Sequence, residues 1–236
     1  MRLDKYLANM GIGTRKEVKE FIKKGLVSVN GEKAKSPEQK IEENSDQIAV
    51  NGEVVSFIEN VYFMLHKPQG VVSATEDKRE KTVLDLIESP VKKQLFPVGR
   101  LDKDTEGLLL LTNDGALAHE LLSPKKHVPK VYYAEIEGVV TQEDVTAFEN
   151  GLDLEDFTSL PAKLDILVSD EVSKIQVCIE EGKYHQVKRM FEAVGKKVIY
   201  LKRLSMGSMV LDESLQPGEY RSLTQQEIEA LWNRKG

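Results

Sequence analysis

The sequence of 236 residues lacks the features of an exported or membrane protein. It contains one cysteine, so no internal disulfide can form, and a reducing compartment is favoured. No apolar run approaches the length of a membrane span, and the opening residues Met1-Arg2-Leu3-Asp4-Lys5 have no apolar segment of the kind that directs secretion. We therefore expect a cytoplasmic protein that makes no contact with a membrane.

The common cofactor and hydrolase motifs are also missing. The four histidines have no paired zinc spacing, and the chain contains no Gly-x-Ser-x-Gly, no phosphate-binding loop and no dinucleotide fingerprint. Asp102, Asp104 and Glu106 begin like a calcium loop, but its last ligand position holds Asn113 in place of glutamate. The sequence therefore predicts no metal site and no cofactor.

The charge is unevenly distributed, although the formal net charge is only −6. Residues 1–35 hold nine basic and four acidic residues, and residues 183–203 hold seven basic residues and one acidic residue. Residues 143–171 hold nine acidic residues and one lysine, which is typical of a solvated face. Because binding responds to local charge, the two basic segments could bind nucleic acid even though the net charge of the chain is negative.

The first 58 residues have the pattern of a small helical and hairpin domain. Apolar residues recur at helical spacing up to Met10, and Thr14-Arg-Lys-Glu17 is a capping box that begins a second helix. Asn30-Gly31 lies between alternating residues and predicts a type I′ hairpin, and a similar alternation occurs around Asn51-Gly52. Residues 56–60 are predicted to link this domain, residues 1–58, to a second one.

The remaining residues, 59–236, predict a domain in which many strands are interrupted by short helices. Strands are expected over 61–65, 130–136, 163–168, 174–180, 197–203 and 208–211, and helices over 82–87, 116–122, 141–150, 185–194 and 224–232. This arrangement is typical of the α+β class, with a mostly antiparallel mixed sheet flanked by short helices.

The segment Gly99–Gly115 contains the residues most suggestive of chemistry. Arg100 and Asp102 precede a polar turn and four consecutive leucines, which predict a fully buried strand that fixes the turn. A carboxylate can attack a sugar carbon or an activated ring carbon, and a nearby cation favours its ionised form. Arg100, Lys188 and Arg189 are candidates for that cation. The residues alone leave open whether Asp102 is instead a structural acid that caps the turn.

The same segment resembles the signature of the RsuA family, the small-subunit type of ribosomal RNA pseudouridine synthase. Further motifs agree in the family's order: Tyr62–Ser73, Lys130-Val-Tyr132, Glu181–Gly195, Leu201-Lys-Arg203 with Met206-Gly207, and Pro217–Thr224. The resemblance implies isomerisation of one uridine in folded RNA: the bond from C1′ to N1 breaks, the base turns, and C1′ rejoins at C5. It also implies that no cofactor is needed.

The resemblance assigns roles to four residues of this domain. Asp102 matches the catalytic aspartate, which attacks C1′ or the uracil ring or assists a glycal route. Arg100 matches an arginine that fills the gap left when the uridine flips out, and flipping is required because a stacked base is inaccessible. Tyr132 would stack on the flipped base, with Tyr133 on the opposite, core-facing side of its strand. Lys188 would pair with Asp102, without the bidentate contact that arginine offers.

Other basic residues are expected to bind the RNA backbone. The N-terminal domain resembles the RNA-binding S4 domain first described in a ribosomal protein, through Arg2–Leu7, Thr14–Glu17 and Gly25–Gly31. This resemblance implies backbone contacts from Arg2, Lys5, Arg15, Lys16 and Lys19. In the second domain, phosphate contacts are expected from Arg189, Lys202 and Arg203. His66, where relatives carry asparagine, is expected to be a scaffold residue.

The resemblance to the small-subunit type implies a uridine of 16S ribosomal RNA as substrate, within an assembling small subunit, and a monomeric enzyme. Two alternatives remain. One is the same reaction on 23S RNA of the large subunit. The other is a non-catalytic RNA-binding assembly factor, for which the retained Asp102, Tyr132 and Lys188 would have no purpose.

Overall fold

The computed structural model describes residues 1–43, 45–55 and 60–233. It divides the chain into two units, Met1–Asn60 and Val61–Gly236. The predicted boundary between residues 58 and 59, and residues 56–59 of the predicted linker, lie outside the described residues.

The N-terminal unit contains two helices and a small antiparallel sheet. The helices are α1 (Leu3–Asn9) and α2 (Arg15–Lys23), and the sheet has the order β2-β1-β3-β4. Its strands are β1 (Val27–Val29), β2 (Glu32–Lys33), β3 (Ile48–Val50) and β4 (Glu53–Val54). Leu3, Leu7 and Val18 are fully buried between them, so the helices and the sheet share one core.

Local sequence signals account for this unit. The Thr14 hydroxyl accepts a hydrogen bond from the Glu17 backbone N–H, and the Glu17 carboxylate accepts one from the Thr14 N–H, so the predicted capping box forms. Asn30 and Gly31 have φ values of 51° and 81°, the left-handed backbone that a type I′ turn requires.

The second unit is built on a nine-stranded sheet within the described residues. Its main order is β13-β5-β7-β11-β8-β10-β9, with β6 beside β7 and β12 beside β11. Only β7 and β11 pair in parallel among these strands, which confirms the predicted α+β class. The strands are β5 (Tyr62–Lys67), β6 (Phe96–Pro97), β7 (Glu106–Thr112), β8 (Lys130–Glu137), β9 (Lys163–Val168), β10 (Val172–Ile179), β11 (Lys197–Met206), β12 (Met209–Val210) and β13 (Tyr220–Ser222).

Short helices cover this sheet. They are α3 (Gly115–Leu122), α4 (Gln142–Asn150), α5 (Gln186–Ala193) and α6 (Gln225–Trp232), with 3₁₀ turns at Val83–Leu86, Lys92–Gln94 and Pro124–Lys126. Across the described residues, no helix has both the length and the apolar character needed to cross a bilayer.

Strand β7 lies in the middle of this unit and is buried on both faces. Leu108 and Leu110 face one hydrophobic cluster, whereas Leu109 and Leu111 face the other, and all four side chains are inaccessible to solvent. The predicted buried strand is therefore present. At its start, Gly107 has a φ of 105°, and a Cβ there would lie 2.2 Å from the Arg203 carbonyl oxygen of β11. Glycine is required because the two backbones approach so closely.

Candidate active site

Asp102 lies on the loop between β6 and β7, and neighbouring side chains hold the backbone of this loop. The buried Ser73 hydroxyl donates to the Leu101 carbonyl at 2.9 Å and accepts from the Leu101 N–H at 3.0 Å. The Gly70 N–H donates to the Lys103 carbonyl at 2.8 Å. The loop is thus attached to the segment that follows β5, and β7 anchors its other end.

A completely buried lysine lies beneath the same loop. The Lys67 ammonium donates to the carbonyls of Asp102 and Thr105, each at 2.9 Å, and to that of Pro68 at 3.1 Å. Burial lowers the pKa of Lys67 to about 8, although the carboxylates of Asp102, Asp104 and Glu106 act in the opposite direction. Lys67 therefore fixes the loop through its backbone and leaves the carboxylates directed elsewhere.

Helix α5 brings a cation to Asp102, as the resemblance implied. Lys188 Nζ lies 3.1 Å from Asp102 Oδ2 and 2.6 Å from Asp104 Oδ1. Burial by itself would lower the pKa of Lys188, but its contacts with Asp104 and Asp102 outweigh this effect and raise it. The Lys188 ammonium therefore stays charged between two carboxylates.

His185 is a second neighbour of Asp102 that the sequence did not indicate. It precedes α5 with a left-handed backbone (φ 50°), and its Nε2 lies 3.5 Å from Asp102 Oδ1. Its ring stacks on that of Tyr184, with 3.8 Å between the centroids and 18° between the planes. Asp102 is thus flanked by an ammonium on one oxygen and an imidazole on the other.

The other acidic residues near Asp102, which are Asp104 on the loop and Glu106 at the start of β7, have structural partners. Burial tends to raise the pKa of Asp104, but its contact with Lys188 outweighs this and lowers it. Glu106 accepts a hydrogen bond from the Tyr200 hydroxyl at 2.6 Å, and the pKa of Tyr200 is raised, mainly by burial. In the described part of the chain, no three histidine, cysteine or acidic side chains are grouped as a metal site would require.

Arg100, Asp102, Tyr132, His185 and Lys188 line one cleft that is open to solvent. Arg100, Asp102, Lys183 and Lys188 supply its charges, and Tyr132 and Leu201 are among its apolar side chains. Arg100 is exposed at the rim. Tyr132 is 7% exposed and belongs to the hydrophobic core beneath the cleft. The structure therefore brings together all four of the residues to which the resemblance gave a role in the reaction.

Tyr132 and Tyr133 project to opposite faces of β8, as alternation requires, but the expected core role of Tyr133 is wrong. Tyr133 is only half-buried, and its hydroxyl donates to Glu135 at 3.1 Å. Its ring makes an edge contact with Tyr200, with 6.1 Å between the centroids. The reason is that this face of β8 carries a polar cluster, whereas Tyr132 faces the larger hydrophobic core.

The three basic residues expected to bind phosphate near the cleft do not line it. Arg189 bonds to Asp156 and to the Leu154 carbonyl. Arg203 is 2% exposed, and its Nε donates to the Leu108 carbonyl at 2.7 Å, because the central strand β11 directs this side chain into the sheet interior. Lys202 is half-buried on the opposite face of β11. A phosphate contact from Arg203 is therefore contradicted by its burial, and Arg189 is already engaged by a carboxylate.

The N-terminal unit presents most of its expected RNA-binding residues to solvent. Lys5, Arg15 and Lys16 are exposed and Lys19 is half-buried along α2. Arg2 is also exposed, but it bonds to Asp4 at 2.8 Å and to Glu38 at 3.1 Å, so its charge is already paired. His66 is 4% exposed and bonds through Nδ1 to the Leu215 carbonyl at 2.7 Å, as expected for a scaffold residue.

Comparisons with known proteins show which family the chain belongs to. The family described as RNA pseudouridylate synthase matches residues 61–193, and the S4 domain matches residues 1–46. The chain is 44% identical to the ribosomal small subunit pseudouridine synthase A of Haemophilus influenzae, over 98% of this chain and 99% of the relative. It is 43% identical to the ribosomal large subunit pseudouridine synthase B of Bacillus subtilis, over 98% of this chain and 95% of the relative.

A solved structure extends this similarity to the fold. The crystal structure of a pseudouridylate synthase is 42% identical to the chain and has a TM-score of 0.70, covering 98% of this chain and 99% of the other. The match therefore includes residues of both units. The chain belongs to the RNA pseudouridylate synthase family and carries an S4 domain at its N-terminus.

Proposed function

We propose that this enzyme isomerises one uridine of 16S ribosomal RNA, within an assembling small subunit, and that it works as a cytoplasmic monomer. The observation that carries the catalytic part is the contact of 3.1 Å between Lys188 Nζ and Asp102 Oδ2, in a cleft that Tyr132 also lines. The relative from Haemophilus influenzae named for the small subunit supports the choice of RNA.

In this proposal each residue of the cleft has one task. The target uridine leaves its stack and enters the cleft, where Tyr132 packs against the base and exposed Arg100 takes the space left in the RNA. The Asp102 carboxylate initiates cleavage of the C1′–N1 bond. The base turns, C1′ bonds to C5, the proton on C5 leaves, and N1 gains a proton, so the composition of the RNA is unchanged.

Lys188 orients and neutralises the carboxylate between turnovers. It also bonds to Asp104, whose side chain is 69% exposed, so the ammonium is held from two sides. Because the loop backbone is fixed by Lys67 and Ser73, Asp102 reacts from a position set before the RNA arrives. We further propose that residues 1–58 form the RNA-binding domain and residues 59–236 the catalytic domain.

The test uses purified enzyme with unmodified 16S and 23S transcripts and with small-subunit particles halted during assembly. Pseudouridines are mapped by carbodiimide modification and reverse transcription. We expect one new pseudouridine in 16S RNA, none with Asp102→Ala, and unchanged RNA binding by that variant. Asp165→Asn is the matched control, since Asp165 is an acidic residue on the edge strand β9, paired with Lys163 and absent from the cleft.

The other outcomes are equally informative. The 43% identical relative named for the large subunit makes 23S RNA the second candidate, and modification of 23S alone would establish it. Pseudouridine formation by Asp102→Ala would refute the role of the carboxylate. RNA binding without modification of either transcript or of the particles would support a non-catalytic assembly factor.

A further inference from the structure

The side chain of Tyr184 is a large aromatic group that no step of the proposed reaction uses. It follows β10, in the loop that leads into α5, and it is 71% exposed. One face of its ring is covered by His185 at 3.8 Å, so the exposed area belongs to the other face and to the edges. A single exposed aromatic residue is ordinary on a protein surface. Tyr184, however, lies beside the proposed catalytic carboxylate of Asp102, where an exposed ring can contact the RNA.

The Tyr184 ring stacks on a side chain that contacts Asp102. His185, on which it stacks, lies 3.5 Å from Asp102 and has a left-handed backbone. The stacked pair is therefore connected to the reacting centre through one side chain. A ring that is already stacked on one face loses less conformational freedom than an unstacked ring when a ligand packs on its open face.

Tyr184 also lines a second groove that continues from the catalytic cleft. Arg100, Asp102 and His185 belong to both, and the groove extends from them past Ser73, Pro97 and Gly99. Arg100, Lys103 and Lys183 line it together with Asp77 and Asp102, and Lys103 is paired with Glu80, so Arg100 and Lys183 are its main cations. Cations beside an open aromatic face are the elements with which proteins bind single-stranded nucleic acid without reading its sequence.

We propose that Tyr184 is a stacking platform for the nucleobase next to the target uridine in the RNA strand. This inference rests on the proposed function, because it assumes that the uridine occupies the cleft containing Asp102. When that uridine flips out, its neighbour loses a stacking partner, and the open face of Tyr184 replaces it. The His185–Tyr184 pair would thus hold the strand on one side of the flipped nucleotide, while Arg100 fills the vacated space.

The test compares Tyr184→Ala with Tyr184→Phe, which keeps the ring and removes the hydroxyl. Trp232→Ala is the matched control, because Trp232 is a 45% exposed aromatic residue on α6 that does not line either groove. Binding is measured with a single-stranded nonamer of uridines that carries one 2-aminopurine beside the central uridine. Stacking on the enzyme quenches the fluorescence of this base, whether or not the uridine is isomerised.

We expect the wild type, Tyr184→Phe and Trp232→Ala to quench the probe and to bind it equally. Tyr184→Ala is expected to leave it unquenched and to bind about tenfold more weakly, which equals about 1.4 kcal/mol and lies in the range of base–aromatic stacking. With the ribosomal RNA substrate, Tyr184→Ala should raise KM by a similar factor and keep kcat within about twofold of the wild type.

The two proposals can fail separately. If the wild type quenches the probe but isomerises no ribosomal RNA, the proposed function fails; stacking of a base on Tyr184 is then retained, and its assignment to the neighbour of a target uridine is refuted. If the wild type isomerises RNA and Tyr184→Ala binds as tightly as it does, the platform is refuted. An equal loss in Tyr184→Phe and Tyr184→Ala would also refute it, because the hydroxyl and not the ring would then carry the contact. If the wild type does not quench the probe, the stacking platform is likewise refuted.

Discussion

Replacement of Lys67 by methionine should loosen the loop between β6 and β7, which carries Asp102, and should destabilise the second unit of the chain. Methionine keeps much of the buried volume but donates no hydrogen bond. The change leaves the carbonyls of Asp102, Thr105 and Pro68 without the ammonium that now lies 2.9–3.1 Å from them. Because two of these carbonyls belong to the loop that carries Asp102, the proposed catalytic residue, both stability and kcat should fall.

The magnitude follows from two opposing contributions. Three hydrogen bonds from a charged donor contribute about 1.5–3 kcal/mol each, or about 5–9 kcal/mol together. Burial of the ammonium, which lowers the pKa of Lys67 from 10.5 to about 8, costs about 3 kcal/mol at neutral pH. Lys67→Met should therefore lower the free energy of unfolding by about 2–6 kcal/mol at pH 7.

The pH dependence of this difference has a defined sign. Between pH 8 and pH 10.5, the unfolded chain keeps a proton on Lys67 that the folded chain has released. Stability rises with pH wherever the unfolded state binds more protons. The free energy of unfolding of the wild type, relative to Lys67→Met, should therefore increase by up to about 3 kcal/mol across this window.

Urea unfolding between pH 7 and pH 10.5 tests both statements. The chain has one tryptophan, Trp232, which lies on α6 of the same unit as Lys67, so its fluorescence reports the unfolding of that unit. Lys103→Met is the control, since Lys103 is an exposed lysine of the same loop, paired with Glu80 at 2.7 Å. Equal stability of Lys67→Met and the wild type, or a difference that does not change with pH, would refute the reasoning.

Two further predictions concern the other basic groups. Lys188→Gln should lower kcat at least about 100-fold in single-turnover assays, while Lys188→Arg stays within about tenfold of the wild type. Equal activity of the Gln and Arg variants would contradict this. Joint replacement of Arg15, Lys16 and Lys19 by glutamine should reduce the slope of log K against log[salt] for RNA binding by about 2–3 in magnitude. Lys163→Gln serves as its control, and an unchanged slope in the triple variant would exclude α2 as an RNA contact.

Local signals in the sequence were sufficient to predict most of the helices and strands. The four leucines of β7 are buried on both faces because the strand lies within the sheet and has a core on each side. The capping box at Thr224 begins α6, as expected from Glu227 three residues later. Strand β13 was not predicted, because its three residues carry no alternation and pair only with β5.

The site was less predictable, because its supporting contacts depend on burial. Lysine and arginine are ordinarily read as surface residues, and this expectation fails at Lys67 and Arg203, which are 0% and 2% exposed. Lys67 precedes Pro68, and only the fold shows that its side chain lies under the loop that carries Asp102, which is 35 residues later in the sequence. The approach of His185 to Asp102 likewise depends on a left-handed residue, which the sequence did not indicate.

The contacts around the loop that carries Asp102 share one physical principle, which explains why the site depends on more residues than those that face the cleft. Lys67 and Ser73 bond to backbone carbonyls and to one N–H, and Gly107 lets β7 lie directly against β11. None of these contacts uses a side chain of the loop. The side chains of Arg100 and Asp102 are therefore free to face the cleft while the backbone that carries them is held. Since catalysis gains most from groups that are oriented before substrate binds, a loop fixed through its backbone suits the role proposed for Asp102.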